Sequence, residues 1–148
     1  MDKTRTAAVR IMKRVICLGS YQGSDAVAWR LADTLQATPD VSTEFEIVCC
    51  ASPAQLVSLC AGADALAIID ASPDLEPGSV RRLSEDELVQ GLSYSSHGMD
   101  LFIALGLARA LGDLPARVAI VGIGVDDRES DLLVACCLPA LLNELRAL

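Results

Sequence analysis

Aromatic residues make up only 3% of this chain, one tryptophan, two tyrosines and two phenylalanines, whereas apolar residues as a class reach 52%. The core must therefore be filled by Leu, Val, Ile and Ala, a composition that suits helices packed on a parallel sheet. Histidine occurs once, so a site built from two imidazoles is excluded. No apolar run approaches the roughly 20 residues of a membrane span, and none has the flanks of a signal peptide. The expectation is a cytoplasmic protein without membrane insertion.

Other absences narrow the chemistry. No two cysteines have the C-x-x-C spacing of a zinc or redox motif. Cys17, Cys49, Cys50, Cys60, Cys136 and Cys137 lie mostly inside apolar runs, where a free thiol behaves as a small hydrophobe. Core thiols are expected. There is no G-x-S-x-G elbow, and Ser95 and Ser96, although adjacent to His97, sit too close in sequence to aim at it as a nucleophile aims at its base. The Gly19–Gly23 loop has neither G-x-G-x-x-G spacing nor a phosphate-binding lysine.

A basic face is missing as well. Net charge is −8, and five of the twelve basic residues (Lys3, Arg5, Arg10, Lys13, Arg14) fall in the first fourteen positions. The remainder is strongly acidic, which excludes a nucleic-acid binder that must displace counterions from phosphates. Residues 1–12 read as a flexible basic N-terminal arm and 13–148 as one domain, with the early cations solvated on the arm.

Along that domain, apolar runs alternate with helical periodicity. Arg14–Leu18, Glu44–Cys50, Ala65–Asp70 and Arg117–Ile123 read as strands; the continuous apolar character of the last two marks burial on both faces. Ala26–Ala37 is an amphipathic helix, and Ser52-Pro53 opens another that runs to about Ala61, with a capping hydroxyl and a proline at the first helical position. Gly78–Leu83 is shorter and more polar, an edge strand whose direction could be antiparallel. Met99–Leu111 is apolar on nearly every side, placing that helix in the middle of a layer. Ser130–Ala147 is a closing helix that Pro139 should kink or divide. Successive right-handed β-α steps give a three-layer α/β/α sandwich on a mostly parallel, twisted sheet of about five strands.

In such sheets ligands bind beyond the carboxyl ends of the strands. Three polar residues are expected there: Asp25 at the start of a helix after the first strand, Asp70 at the end of the central strand, and His97 in a turn before the apolar helix. Each alone has an ordinary role as a cap, strand-end acceptor or loop residue. Together they form two carboxylates and an imidazole, a donor set suited to a divalent transition metal. The stretch 76–94 is the longest polar segment, expected to be mobile and to face a partner, with Glu85, Asp86 and Glu87 favouring a basic patch.

Three blocks carry a family resemblance. VICLGSYQGSDAVAWRLADTL, IIDASPDLEPGSVRRLSEDEL and SSHGMDLFIALGLARALGDLPARVAIVGI, in that order, resemble the first strand, loop and helix, the central strand with its edge strand, and the Ser-Ser-His-Gly turn with its helix and strand, of hydrogenase maturation endopeptidases. The resemblance implies metal ligands at Asp25, Asp70 and His97, which would also be the catalytic residues. It implies an endopeptidase that removes the C-terminal extension of a nickel-iron hydrogenase large-subunit precursor, with nickel carried by that precursor and other divalent metals able to substitute in vitro. The chain departs from the family's pattern at Asp25, where glutamate is commoner, at Ala28, where glycine is frequent, and at Gly124, where glutamate is frequent. The altered first loop, which also has Gly19-Ser20 where Gly-Asn is common, raises an alternative, a non-catalytic relative that binds the precursor as an assembly chaperone. The oligomeric state is not read from the sequence.

Overall fold

A computed structural model of the chain describes residues 11–19, 26–72, 74–89, 96–127 and 130–148, with side chains described for all of these except 89 and 96–99. The elements in chain order are β1 (Lys13–Leu18), α1 (Ala26–Gln36), α2 (Pro39–Ser42), β2 (Phe45–Cys50), α3 (Pro53–Cys60), β3 (Ala65–Ser72), β4 (Val80–Leu83), α4 (Glu85–Val89), α5 (Ser96–Ala110), β5 (Arg117–Gly124) and α6 (Ser130–Arg146). The strands form one sheet in the order β2-β1-β3-β5-β4, parallel throughout except for β4 against β5. The three-layer sandwich expected from the sequence is present, and its edge strand is antiparallel.

Alternation along the strands separates two cores. Val15, Cys17, Ala65, Ala67, Ile69, Ala119, Val121 and Ile123 point toward α1 and α6. Ile16, Leu18, Leu66, Ile68 and Ile120 point toward α3 and α5. Ile16, Leu18, Leu66, Ile68 and Ile69 are fully buried. A strand covered on both faces can be apolar at every position, which is why β1, β3 and β5 show no polar alternation.

The first cations are built into the fold. Lys13 Nζ donates to Glu44 Oε1 at 2.9 Å and lies 5.5 Å from the Phe45 ring centroid. The Arg14 guanidinium donates to Glu46 Oε2 and, at 2.7 Å each, to the carbonyls of Leu59 and Ala61 at the end of α3. It satisfies carbonyls that a helix C-terminus leaves without partners, so Arg14 is a cap and not a member of a solvated arm. Met12 N–H donates to Asp64 Oδ2 at 2.7 Å and its carbonyl accepts from Asp64 N at 2.8 Å, while residues 1–10 of the expected arm lie outside the described residues.

Several expectations are corrected. Ser52 is the N-cap residue of α3, but its hydroxyl makes no cap; Gln55 Oε1 reaches back to the Ala51 N–H instead, at 3.0 Å. Pro139 lies inside an undivided α6, held to the sheet by Leu133, Val134, Cys137, Leu141 and Leu145. Two cysteines are not core residues: Cys49 and Cys136 are exposed, the other four buried. The polar stretch from Glu76 is structured as β4 and α4 as far as residue 89, with 90–94 outside the described residues. Glu85 accepts from Arg109, Glu87 pairs with Arg81 at 3.1 Å, and Leu88 is buried, so only Asp86 of the three acids is left without a cation among the described residues. Among the described residues no helix is long and apolar enough to cross a membrane.

Candidate functional site

The strand order reverses direction between β1 and β3. From β1 the chain crosses to β2 on one side, then returns past β1 to β3 and continues to β5 on the other. The carboxyl ends of β1 and β3 therefore diverge into a crevice where loops converge, the ordinary ligand position in an open α/β sheet.

Asp70 stands in that crevice. Its Cα partners are Leu18, the last residue of β1, and Gly122 of β5. It is half-buried, and strand alternation places it with Leu66 and Ile68 on the α3–α5 side of the sheet. The neighbouring surface is apolar. Leu18 is fully buried on one side, and on the other the side chains of Leu75 and Leu83 cover Gly122 so closely that an added Cβ would lie 2.7 and 3.0 Å from their methyl groups.

Gly124, two residues beyond Gly122, admits a second close contact. A Cβ there would fall 1.8 Å from the Glu76 carbonyl oxygen. The absence of a side chain lets the 76–79 turn sit directly on β5, through Gly78 N to Gly124 O and Gly124 N to Ser79 O, each 2.9 Å. The glutamate frequent at this position in the resembled family cannot be accommodated with this turn in place. Glycines inside a buried strand signal close approach by another segment. Gly122 and Gly124 were thus a legible sign, missed in the sequence, that the β3–β4 connection folds over the edge holding Asp70.

α5 brings the next expected residue to the same edge and layer. Its C-terminus, closed by Gly112 at φ +76° with Asp113 N bonded to Ala108 O and Gly112 N to Arg109 O, leads to the start of β5. Its N-terminus is therefore at the carboxyl end of the sheet. α5 begins at Ser96, earlier than the sequence suggested, so His97 lies in the first helical turn and not in a preceding loop. The position of its backbone is described; its side chain is outside the described residues, as is all of Asp25.

The loop that carries Asp25 departs from a fixed point. Gly19 N donates to the Cys50 carbonyl at 3.0 Å, and the Trp29 indole N–H reaches the same oxygen at 3.4 Å. One carbonyl thus ties the start of the loop, the first turns of α1 and the end of β2 together. Among the described residues no three His, Cys, Asp or Glu side chains converge as a metal-binding group. Of the three expected ligands, only Asp70 has a described side chain.

Five of the thiols, Cys17, Cys49, Cys50, Cys60 and Cys137, are poor competing nucleophiles. Burial pushes Cys17 far above the usual thiol range, helped by Cys49 and Asp33. Burial raises Cys60 and Cys137 to about 11, against a lowering influence of Arg14 on Cys60, and it also raises Cys49 and Cys50. A nucleophilic cysteine requires the opposite shift.

No curated protein sequence matches the chain significantly. In fold it is similar to the hydrogenase maturating endopeptidase HybD from Escherichia coli, at 23% identity and TM-score 0.67 over 92% of this chain and 93% of that one. The solution structure of the endopeptidase HycI from Escherichia coli is similar over 84% and 85% of the two chains, at 20% identity and TM-score 0.65. The hydrogenase maturation protease HycI from Thermococcus kodakarensis aligns over 93% of both chains, at 18% identity and TM-score 0.61. The model of the HycI family, described as hydrogenase maturation protease, matches residues 29–135. That span begins after Asp25 and includes Asp70, His97, Gly122 and Gly124, the whole of the described carboxyl edge from β3 to β5. The chain belongs to the hydrogenase maturation protease family.

Proposed function

We propose that this chain is a nickel-dependent endopeptidase that removes the C-terminal extension of a nickel-iron hydrogenase large-subunit precursor after nickel insertion. Family membership supports the processing-peptidase role. The observation that carries the finer reading is the half-buried Asp70 at the strand-order switch point, on the same edge and layer as the turn of α5 bearing His97. In this reading nickel arrives with the precursor and belongs to the substrate.

Asp25, Asp70 and His97 would hold the metal of the loaded precursor, two carboxylates and one imidazole leaving positions for water and peptide. A divalent ion bound there supplies Lewis acidity. The chain's own contribution is to place a carboxylate in a crevice walled by Leu18, Leu75 and Leu83, where apolar neighbours keep bulk water from competing for it. His97 must be neutral to ligate, so processing should weaken as pH falls through its titration.

The test is mass loss from a nickel-loaded precursor incubated with the purified protein. Asp70→Asn and His97→Ala should each abolish cleavage with the thermal midpoint unchanged, whereas Asp25→Glu should be tolerated. Cleavage that survives His97→Ala would sink the ligand assignment. Stable precursor binding by the wild type without any mass loss would favour the chaperone reading.

A further inference from the structure

The α3–α5 layer is unfinished on its outer side. An apolar circumference ordinarily belongs to a helix buried all round, and the inner face of α5 is buried through Leu101, Ala104, Leu105 and Ala108. The outer face is not. Ile103, Leu107 and Leu111 recur every fourth residue and are 58%, 50% and 59% exposed. Pro53, Ala54 and Val57 of α3 form the opposite wall of a groove of about 760 Å³. Single exposed leucines are normal on any protein, but a contiguous apolar row along a groove marks an interaction surface.

The groove has a charge pattern that selects its occupant. Asp100 lies toward its α5 N-terminal end and Asp113 toward its C-terminal end, and among its described lining residues there is no lysine, arginine or histidine. Among the described residues neither carboxylate has an ion-pair partner, whereas Glu85 and Glu87 on the adjoining α4 are both paired. An apolar floor bracketed by two unpaired acids complements a helix with an apolar face and a cation at each end. A second copy of this chain fits less well, since a two-fold arrangement sets like carboxylates against one another. The row from Ile103 to Leu111 spans about 12 Å, the length of two to three turns of a partner helix.

We propose that this groove docks a basic-flanked amphipathic helix of the protein substrate. The proposal rests on the processing-peptidase reading. It deepens that reading by placing recognition along α5, whose first turn carries His97, so that a segment seated there leads toward the edge holding Asp70.

The probe is a synthetic amphipathic peptide of about fourteen residues, roughly 21 Å as a helix, with leucine on one face and two lysines at each end. A control carries glutamates in place of the lysines. The lysine peptide should bind the full-length protein about tenfold or more tighter than the control at low salt. Leu107→Lys should abolish that binding, Leu107→Met should retain it, and Asp70→Asn should leave it unchanged. With a precursor that the wild type cleaves, Leu107→Lys should raise KM about tenfold or more with kcat preserved. Circular dichroism and thermal midpoint show that each variant is folded. Cleavage by Leu107→Lys with wild-type KM overturns the docking assignment and leaves the peptidase reading standing. Peptide binding that depends on Leu107 in a protein unable to cleave any precursor overturns the peptidase reading and supports the groove. A wild-type dimer that Leu107→Lys turns into a monomer reassigns the groove to a second copy. Faster tryptic cleavage at Arg5 or Arg10 in Leu107→Lys, with unchanged precursor affinity, reassigns it to the chain's own first ten residues.

Discussion

The two sides of the sheet bury similar side chains against the strands but end differently toward water. On the α1–α6 side, Val27, Leu31 and Leu35 of α1 and Leu133, Cys137 and Leu141 of α6 are buried, while Arg30, Asp33 and Asp131 face outward, Arg30 reaches Asp131 at 3.0 Å, and the one exposed large hydrophobic among the described residues of the two helices is the isolated Leu132. On the α3–α5 side, Leu56, Leu101 and Leu105 are just as buried, but beside the exposed Asp100 and Arg109 the outward face of α5 carries Ile103 and Leu107, continued by Leu111 just past its end. Folding requires only the inner faces. The outer apolar row on one side therefore answers to something other than the stability of this chain, and it occurs in the layer that also carries Asp70 and the start of α5.

That comparison can be broken by equivalent truncations. Leu31→Ala and Leu105→Ala, one in each layer, should each cost about 2–5 kcal/mol in urea unfolding, because each removes a fully buried leucine. Leu107→Ala should stay within about 0.5 kcal/mol of wild type. An equal loss at Leu107 and Leu105 would mean that the outer row is structural after all. Gly124→Ala should cost about 1–3 kcal/mol, since its Cβ must push back the Glu76 carbonyl. The same measurement on Gly106→Ala, where an added Cβ meets nothing of the chain, should show no such loss.

The thiols sharpen it further. Cys60 belongs to the α3–α5 core and Cys137 to the α1–α6 core, and burial raises both from 9.0 to about 11. The folded state then holds protons that the unfolded chain releases, so stability falls as pH rises from about 9 toward 11 and is unaffected well below that window. Denaturation midpoints across this range should show the decline, and Cys60→Ala with Cys137→Ala should make it shallower, with Cys17 sustaining the remainder. Native alkylation read by mass spectrometry should modify Cys49 and Cys136 first, the other four only on unfolding. The smallest effect is expected at the surface: Arg30→Ala should change stability by less than about 1 kcal/mol, because its pair with Asp131 is exposed on both sides.

Much of the fold was legible because local pattern and global packing agree. Apolar runs such as ALAIID and RVAIVGI can satisfy both faces of a buried strand and little else. The four-residue spacing of Val27, Leu31 and Leu35 fixed the face of α1. Position along the sheet was also readable for Asp70, since a polar residue closing a buried strand must lie near its carboxyl end. The first turn of α5, from Ser96 to the expected start at Met99, and the short α2 and α4 were not readable, because one or two turns carry too few residues to form a period and are decided by what they pack against.

What the sequence alone determined is the class of the molecule: an aromatic-poor, aliphatic core, a parallel sheet covered on both faces, and an acidic surface unsuited to phosphates. Only the tertiary structure decided that Arg14 caps α3, that Glu85 and Glu87 pair within the chain, that Gly122 and Gly124 admit the β3–β4 connection, and that the apolar outer face of α5 stays open to solvent. Composition and periodicity record which side chains avoid water. Which of them find a partner within the chain depends on distances between segments far apart in sequence, and those distances exist only once the layers have assembled.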